Sequence, residues 1–349
     1  MSAPIGDDPT LKACQKAAKP VLTHRTHVIC AQKYTEMPQC SKFALAICDQ
    51  NWWNLRKIVT LEIIMDTRPF RSVLYIPGSK ERALHKATAL PTDAIIFDLE
   101  DAVAMDEKPR ARRLLADTLQ TLDYGPRAKL VRINDLGTEW GAEDLDVIAS
   151  ARPEAILLPK VDGPAHIEEL ARRLDARVET ADTRIWAMME SPLGIWNALK
   201  IAGAPRMAGF IMGTNDLAKD MGLRYRADRM PLFTSLQMGV LAAKAHGLVA
   251  VDGVYNAFRD GAGLKAECEQ GRDMGFDGKT LIHPSQLEIA NTVFAPSSDE
   301  IDTARRQIDA YNAATARGEG VAVLDGKIVE NLHIVTAKQI LAKAEALAS

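Results

Sequence analysis

The sequence predicts an α/β chain folded as a TIM (β/α)8 barrel with a C-terminal helical and hairpin extension, and three observations carry that reading. Eight short β-rich runs follow one another between residues 71 and 283. Longer helical patterns alternate with them, as repeated βα units around a parallel sheet require. Polar and charged residues stand directly after the runs, where barrels of this kind carry their chemistry.

The runs are Ser72 to Ile76, Ala94 to Asp98, Lys129 to Ile133, Ala155 to Leu158, Arg184 to Met188, Gly209 to Met212, Leu248 to Val251 and Lys279 to Ile282. Between them, KPRARRLLADTLQTL, PAHIEELARRLDARV and GLKAECEQGRDMGF repeat apolar residues at helical spacing. Eight is the number of parallel strands that closes a barrel. The competing architecture, a doubly wound open sheet, ordinarily shows a glycine-rich dinucleotide turn after an early strand, and IPGSKE is not one. From about Ser297 the chain reads as a helix through Arg317, a glycine-flanked turn or hairpin in GEGVAVLDGKIVE, and a closing helix rich in Ala, Lys and Leu. Residues 68–296 are therefore assigned to the barrel, and 297–349 to a segment able to cover its mouth or join subunits.

Residues 1–64 differ from the rest. They pair Trp52 with Trp53, show no sustained apolar period, and carry +3 (8 basic against 5 acidic) where the remainder carries -6 (35 against 41). Four of the five cysteines, Cys14, Cys30, Cys40 and Cys48, lie there. A zinc module using them with His24 and His27 would need close cysteine pairs, and no CxxC spacing is present. The expectation is a disordered extension, read from an upstream start codon, with Met65 in IIMDTRPFRSVLYIPG as the functional start.

Composition bounds the function. The 349 residues are 47% hydrophobic and 26% charged, enough for one large core with modest additions. A net charge of -3 supplies no basic field for nucleic acid or an anionic membrane. No apolar run approaches the roughly 20 residues of a membrane helix, and the N-terminus lacks the order of a secretory signal. A cytoplasmic enzyme that grips any anionic ligand locally is the expectation.

The rim residues narrow the chemistry. The first run is followed by Pro77, Gly78, Ser79 and Lys80, the second by Glu100 and Asp101, and the third carries Arg132 near its end. Pro159 and Lys160 follow the fourth, Glu190 the fifth, Asn215 and Asp216 the sixth, Asp252 the seventh and His283 the eighth. Glu190 and Asp216, two carboxylates on neighbouring strand ends with no Cys or His cluster nearby, suit a hard divalent cation such as magnesium. Each can equally cap a helix, pair with an arginine or, for Asp216 in GTNDLAKD, shape a turn; spacing does not separate these readings. Arg132 suits a bidentate grip on a carboxylate or a polarised thioester oxygen, or a salt bridge to Glu100 or Asp101. His283 can act as a base or a ligand contact, although HPSQ also reads as the opening of a helix. Lys80 and Lys86 flank the first helix and can hold phosphates, with Tyr75 offering an aromatic face. His85, His166 and His246 fall in helical patterns and read as surface or packing residues.

From about residue 68 onward the chain resembles a known family, that of the citrate lyase beta-subunit, malyl-CoA lyase and related CoA-ester enzymes. The motifs carrying the resemblance are RSVLYIPGSKERALHKA, IIFDLEDAVA, LVRIN, LLPKV, MMESPLGI, MGTNDLAKDMG, VDGVYNAF and GKTLIHPSQLEIAN. The resemblance implies a trimeric or hexameric barrel that binds magnesium through Glu190 and Asp216. It further implies contact of Arg132 with the acyl part of the substrate, and of Tyr75, Lys80 and Lys86 with coenzyme A. His283 is placed with that coenzyme-binding set, and Lys80 stands where some relatives have arginine. The implied substrate is malyl-CoA or a similar hydroxyacyl-CoA. In the lyases a tail aspartate completes a neighbouring subunit's site as acid or base; here LDGKIVENLHI places Glu330 at that position. One added methylene displaces the carboxylate by about 1 Å, enough to cost roughly a hundredfold in a positioned reaction. Hydrolysis of the thioester, with Glu330 handling the water and Arg132 the developing charge, is the expected activity. Carbon–carbon cleavage to glyoxylate and acetyl-CoA, a citrate-lyase-type subunit and a non-catalytic CoA-ester binder are the alternatives.

Overall fold

The eight β-rich runs form strands, and their nearly unbroken apolar text has a simple cause: both faces of each strand are buried. The computed structural model describes residues 68–348, so the expectations for Cys14, Cys30, Cys40, Cys48, His24, His27 and Met65 lie outside the described residues. The strands are β1 (Ser72–Pro77), β2 (Ala94–Asp98), β3 (Ala128–Arg132), β4 (Ala155–Leu158), β5 (Arg184–Met189), β6 (Met207–Met212), β7 (Val249–Asp252) and β8 (Gly278–Leu281). They pair in chain order, every pair parallel, and β8 returns to β1 to close the barrel.

Alternation along the strands sorts the core into two. Val73, Ile96, Leu130, Leu157, Trp186, Met188, Ile211 and Val251 pack together inside the barrel. Their neighbours, among them Leu74, Ile95, Phe97, Val131 and Ile156, pack outward against the helices. Trp186 needs room at the barrel axis, and Gly209 provides it: a Cβ there would lie 2.5 Å from the indole. The β5–β6 register shifts at that step.

The helices are α1 (Glu81–Ala87), α2 (Lys108–Thr121), α3 (Gly141–Ala149), α4 (Pro164–Asp175), the short pair α5 (Pro192–Trp196) and α6 (Ala198–Ala202), α7 (Thr214–Asp220), α8 (Phe233–Ala245), α9 (Gly261–Asp273) and α10 (Leu287–Phe294). Among the described residues, no helix is long and apolar enough to cross a membrane.

Asp252, read from the sequence as a rim residue, faces outward from β7 into a buried ion cluster. Lys279 of β8, fully buried, places its ammonium 3.0 Å from Asp252 and 2.7 Å from Glu267 of α9. Arg229, ahead of α8, donates to both Asp252 oxygens at 2.8 Å. Two cations and two carboxylates balance, which is what lets four ionised groups share a dry site.

The extension follows its predicted order: α11 (Ser298–Ala316), a hairpin of β9 (Ala322–Leu324) and β10 (Lys327–Val329), and α12 (Asn331–Ala348). Asp325 and Gly326 take positive φ values of 49° and 74° at the hairpin turn, the geometry an Asp-Gly pair favours. Ala314, Ala322, Val329 and Ile334 form a small core of their own. Barrel and tail belong to one compact unit. The tail starts near the N-terminal ends of the strands: Arg272 at the end of α9 pairs with Glu300 at 2.7 Å. That anchor lies on the face opposite the rim.

Candidate active site

Asp98 and Arg132 are direct neighbours in the β2–β3 register and both point into the barrel at its C-terminal end. That placement makes their bidentate pair: Arg132 Nε lies 2.7 Å from Asp98 Oδ1 and Nη2 2.6 Å from Oδ2. Asp98 also accepts the backbone N–H groups of Glu100 and Ala102, so it fixes the turn after β2. The sequence reading named Glu100 and Asp101 as partners for Arg132 and missed Asp98. The inward parity of Asp98, two residues beyond the inward Ile96, was the signal available.

Arg132 Nη1 remains for the rim. It lies 2.6 Å from Glu100 and 3.4 Å from Asp101. Glu100 Oε2 makes no aligned hydrogen bond among the described residues, so its contact with Arg132 is one of charge. Burial raises the Glu100 carboxyl to about 7, with Arg132 opposing and Asp101 and Glu190 adding to the rise. Burial would make the guanidinium easier to deprotonate, but Asp98 above all holds it charged. Tyr75, inward on β1, lays its ring under Arg132 with the guanidinium carbon 5.1 Å from the ring centroid. Burial pushes its phenol well up, so it stays a neutral donor.

Glu190 and Asp216 come together across the β5–β6 step. Glu190 is inward and buried, with space because Gly213 opposite has no side chain: a Cβ there would lie 2.4 Å from Glu190 Cβ. Asp216, in the first turn of α7, is about one-third exposed, at 32%. Lys160 joins them. Its backbone N–H donates to Glu190 Oε1 at 2.7 Å, and its ammonium lies 3.3 Å from Glu190 Oε1 and 3.0 Å from Asp216 Oδ2. Burial raises the Glu190 carboxyl, an effect Lys160 opposes. Two carboxylates thus converge on one positive charge, with oxygen donors only, which fits a hard cation. Among the described residues no third Asp, Glu, His or Cys completes a protein-only metal cage, so water or substrate oxygens would fill the remaining positions.

The other predicted residues are spread around this centre. Lys80 precedes α1 and Lys86 lies in its last turn; both are exposed, and neither is in an ion pair among the described residues. His283 opens the turn after β8: its Nδ1 accepts the Ser285 N–H, and its ring stacks on Phe258 at 4.7 Å between centroids. With Arg259 and Ile289 it lines a rim pocket of about 480 Å³. Glu330 is exposed at the start of α12, and its carboxylate has no hydrogen bond or ion pair among the described residues. The structure does not bring it to Arg132 within one chain. His85, His166 and His246 are exposed.

Residues 71–284 match the family model HpcH/HpaI aldolase/citrate lyase. The chain is 63% identical over 281 residues to a (3S)-malyl-CoA thioesterase of Cereibacter sphaeroides, covering 80% of this chain and 96% of that one. It is 36% identical over 290 residues to the citrate lyase subunit beta of Escherichia coli K12, covering 80% and 94%. Among solved structures, CitE from Mycobacterium tuberculosis in complex with magnesium, acetoacetate and coenzyme A superposes with a TM-score of 0.68 at 30% identity, covering 80% of this chain and 99% of that one.

Proposed function

The chain belongs to the HpcH/HpaI aldolase/citrate lyase family, and from that premise we propose that it hydrolyses (3S)-malyl-CoA to (S)-malate and free coenzyme A with magnesium. The observation that carries the substrate is the identity to the Cereibacter thioesterase along nearly all of that protein's length. We place the enzyme in the cytoplasm as a homo-oligomer, trimer or hexamer.

Glu190 and Asp216 would hold the metal. Magnesium there would supply positive charge to the malyl oxygens. Arg132, pinned by Asp98 with Nη1 toward the rim, stabilises the negative charge that develops on the thioester oxygen. Water attacks the thioester carbon, its proton passes to a carboxylate, the carbon–sulfur bond breaks, and the thiolate takes up a proton. Glu330 is the carboxylate proposed to orient or deprotonate that water. Its exposed place on a tail anchored away from the rim fits action in the site of a neighbouring copy. Lys80, Lys86, Tyr75 and His283 are proposed to hold the coenzyme.

The similarity to citrate lyase beta subunits supports a second reading, carbon–carbon cleavage. Incubation with malyl-CoA and magnesium separates the two. Malate with free thiol supports hydrolysis; glyoxylate with acetyl-CoA supports cleavage; binding without turnover would return the chain to a CoA-ester binder. The Glu330→Asp variant tests the selector: unchanged hydrolysis with no cleavage would remove Glu330 from that role.

A further inference from the structure

Lys160 has a backbone and a side chain that both need explaining. It follows β4 with φ of 53°, a left-handed conformation that a non-glycine residue rarely adopts without cause. That turn aims its N–H at Glu190 Oε1 and delivers its ammonium between Glu190 and Asp216. The side chain remains 43% exposed, so it has an open path to solvent.

A hard dication coordinated to the same two oxygens at about 2.1 Å would stand no more than about 5 Å from an ammonium that lies 3.0 Å from one of them. The two cations would then repel across a short gap while sharing the same carboxylate charge. We propose that Lys160 is an internal competitor for the divalent cation. Its ammonium holds Glu190 and Asp216 together in the metal-free protein and swings toward solvent when the metal arrives. Its N–H stays on Glu190 throughout, so the carboxylate keeps its place during the exchange. This inference rests on the metal reading of Glu190 and Asp216.

The test uses the full chain stripped with EDTA and titrated with magnesium chloride by calorimetry. Lys160→Met, which keeps the length and removes the charge, is expected to bind magnesium about tenfold tighter, from the water-like limit of the lost repulsion. Its metal-free form should melt lower than the wild type, and magnesium should raise its melting temperature by more. Lys160→Arg, which keeps the charge, should bind magnesium like the wild type. In the wild-type protein, acetylation of Lys160 followed by peptide mass spectrometry should rise severalfold on adding magnesium, a readout that needs no variant to fold. Equal or weaker magnesium binding by Lys160→Met, or acetylation that falls with magnesium, overturns the competition. A Glu190→Gln protein that binds magnesium as the wild type does, or a wild type that binds none, instead removes the metal reading and the inference with it.

Discussion

The carboxyl of Glu100 gives the sharpest pH signature in the site. It is largely buried, with its side chain 12% exposed, and burial places its ionisation at about 7 against an ordinary 4.5. The folded protein therefore holds this proton more tightly than the unfolded chain does. The resulting stability is fully present below the unfolded value and is lost as pH rises through the folded one. That rise corresponds to about 3 kcal/mol at most, most of it expressed between pH 5 and pH 8.5. Glu100→Gln removes the titration while Asp98 continues to anchor Arg132. Urea denaturation of both proteins in EDTA across that range should show the variant gaining about 2–3 kcal/mol on the wild type from the acid end to the alkaline end. A stability difference that stays flat with pH would mean that Glu100 ionises as an exposed carboxylate does, and would refute the argument from burial.

Two further outcomes follow from named contacts. Lys279→Met leaves Asp252 and Glu267 buried with only Arg229 to balance them, so unfolding should become easier by about 3–5 kcal/mol, read as a drop in denaturation midpoint; a loss under about 1 kcal/mol would mean the cluster is hydrated. Gly213→Ala puts a Cβ 2.4 Å from Glu190 Cβ. It should cost about 1–3 kcal/mol of stability and roughly a hundredfold in magnesium-dependent turnover; turnover at the wild-type level would mean Glu190 can move without consequence.

Much of this molecule is legible in its sequence because strand and helix periods are local. The eight strands appear where β-rich runs predict them, with no end displaced by more than two residues, and the Asp325–Gly326 pair marks the hairpin turn. Strand ends likewise announce a rim of charged groups, since barrel chemistry gathers after the strands. Direction and partner choice are another matter, because they depend on register between segments far apart in the chain. Only the closed sheet turns Asp98 inward against Arg132, across 34 residues of sequence. The same closure turns Asp252 outward to Lys279 and Arg229, away from the site.

Lys160 shows the division most clearly. The sequence places a lysine after the fourth strand and carboxylates after the fifth and sixth. It contains nothing local that brings the ammonium between them, since that requires a left-handed turn and the β4–β5–β6 neighbourhood. The tail divides in the same way: its helix–hairpin–helix order follows from local pattern, whereas its anchoring through Glu300 to Arg272, away from the rim, comes from packing between distant elements. Composition, periodicity and turn chemistry determine which elements form and which face of each is apolar. Barrel closure, by fixing register and side-chain direction, decides which charges meet, and through them what the rim can do.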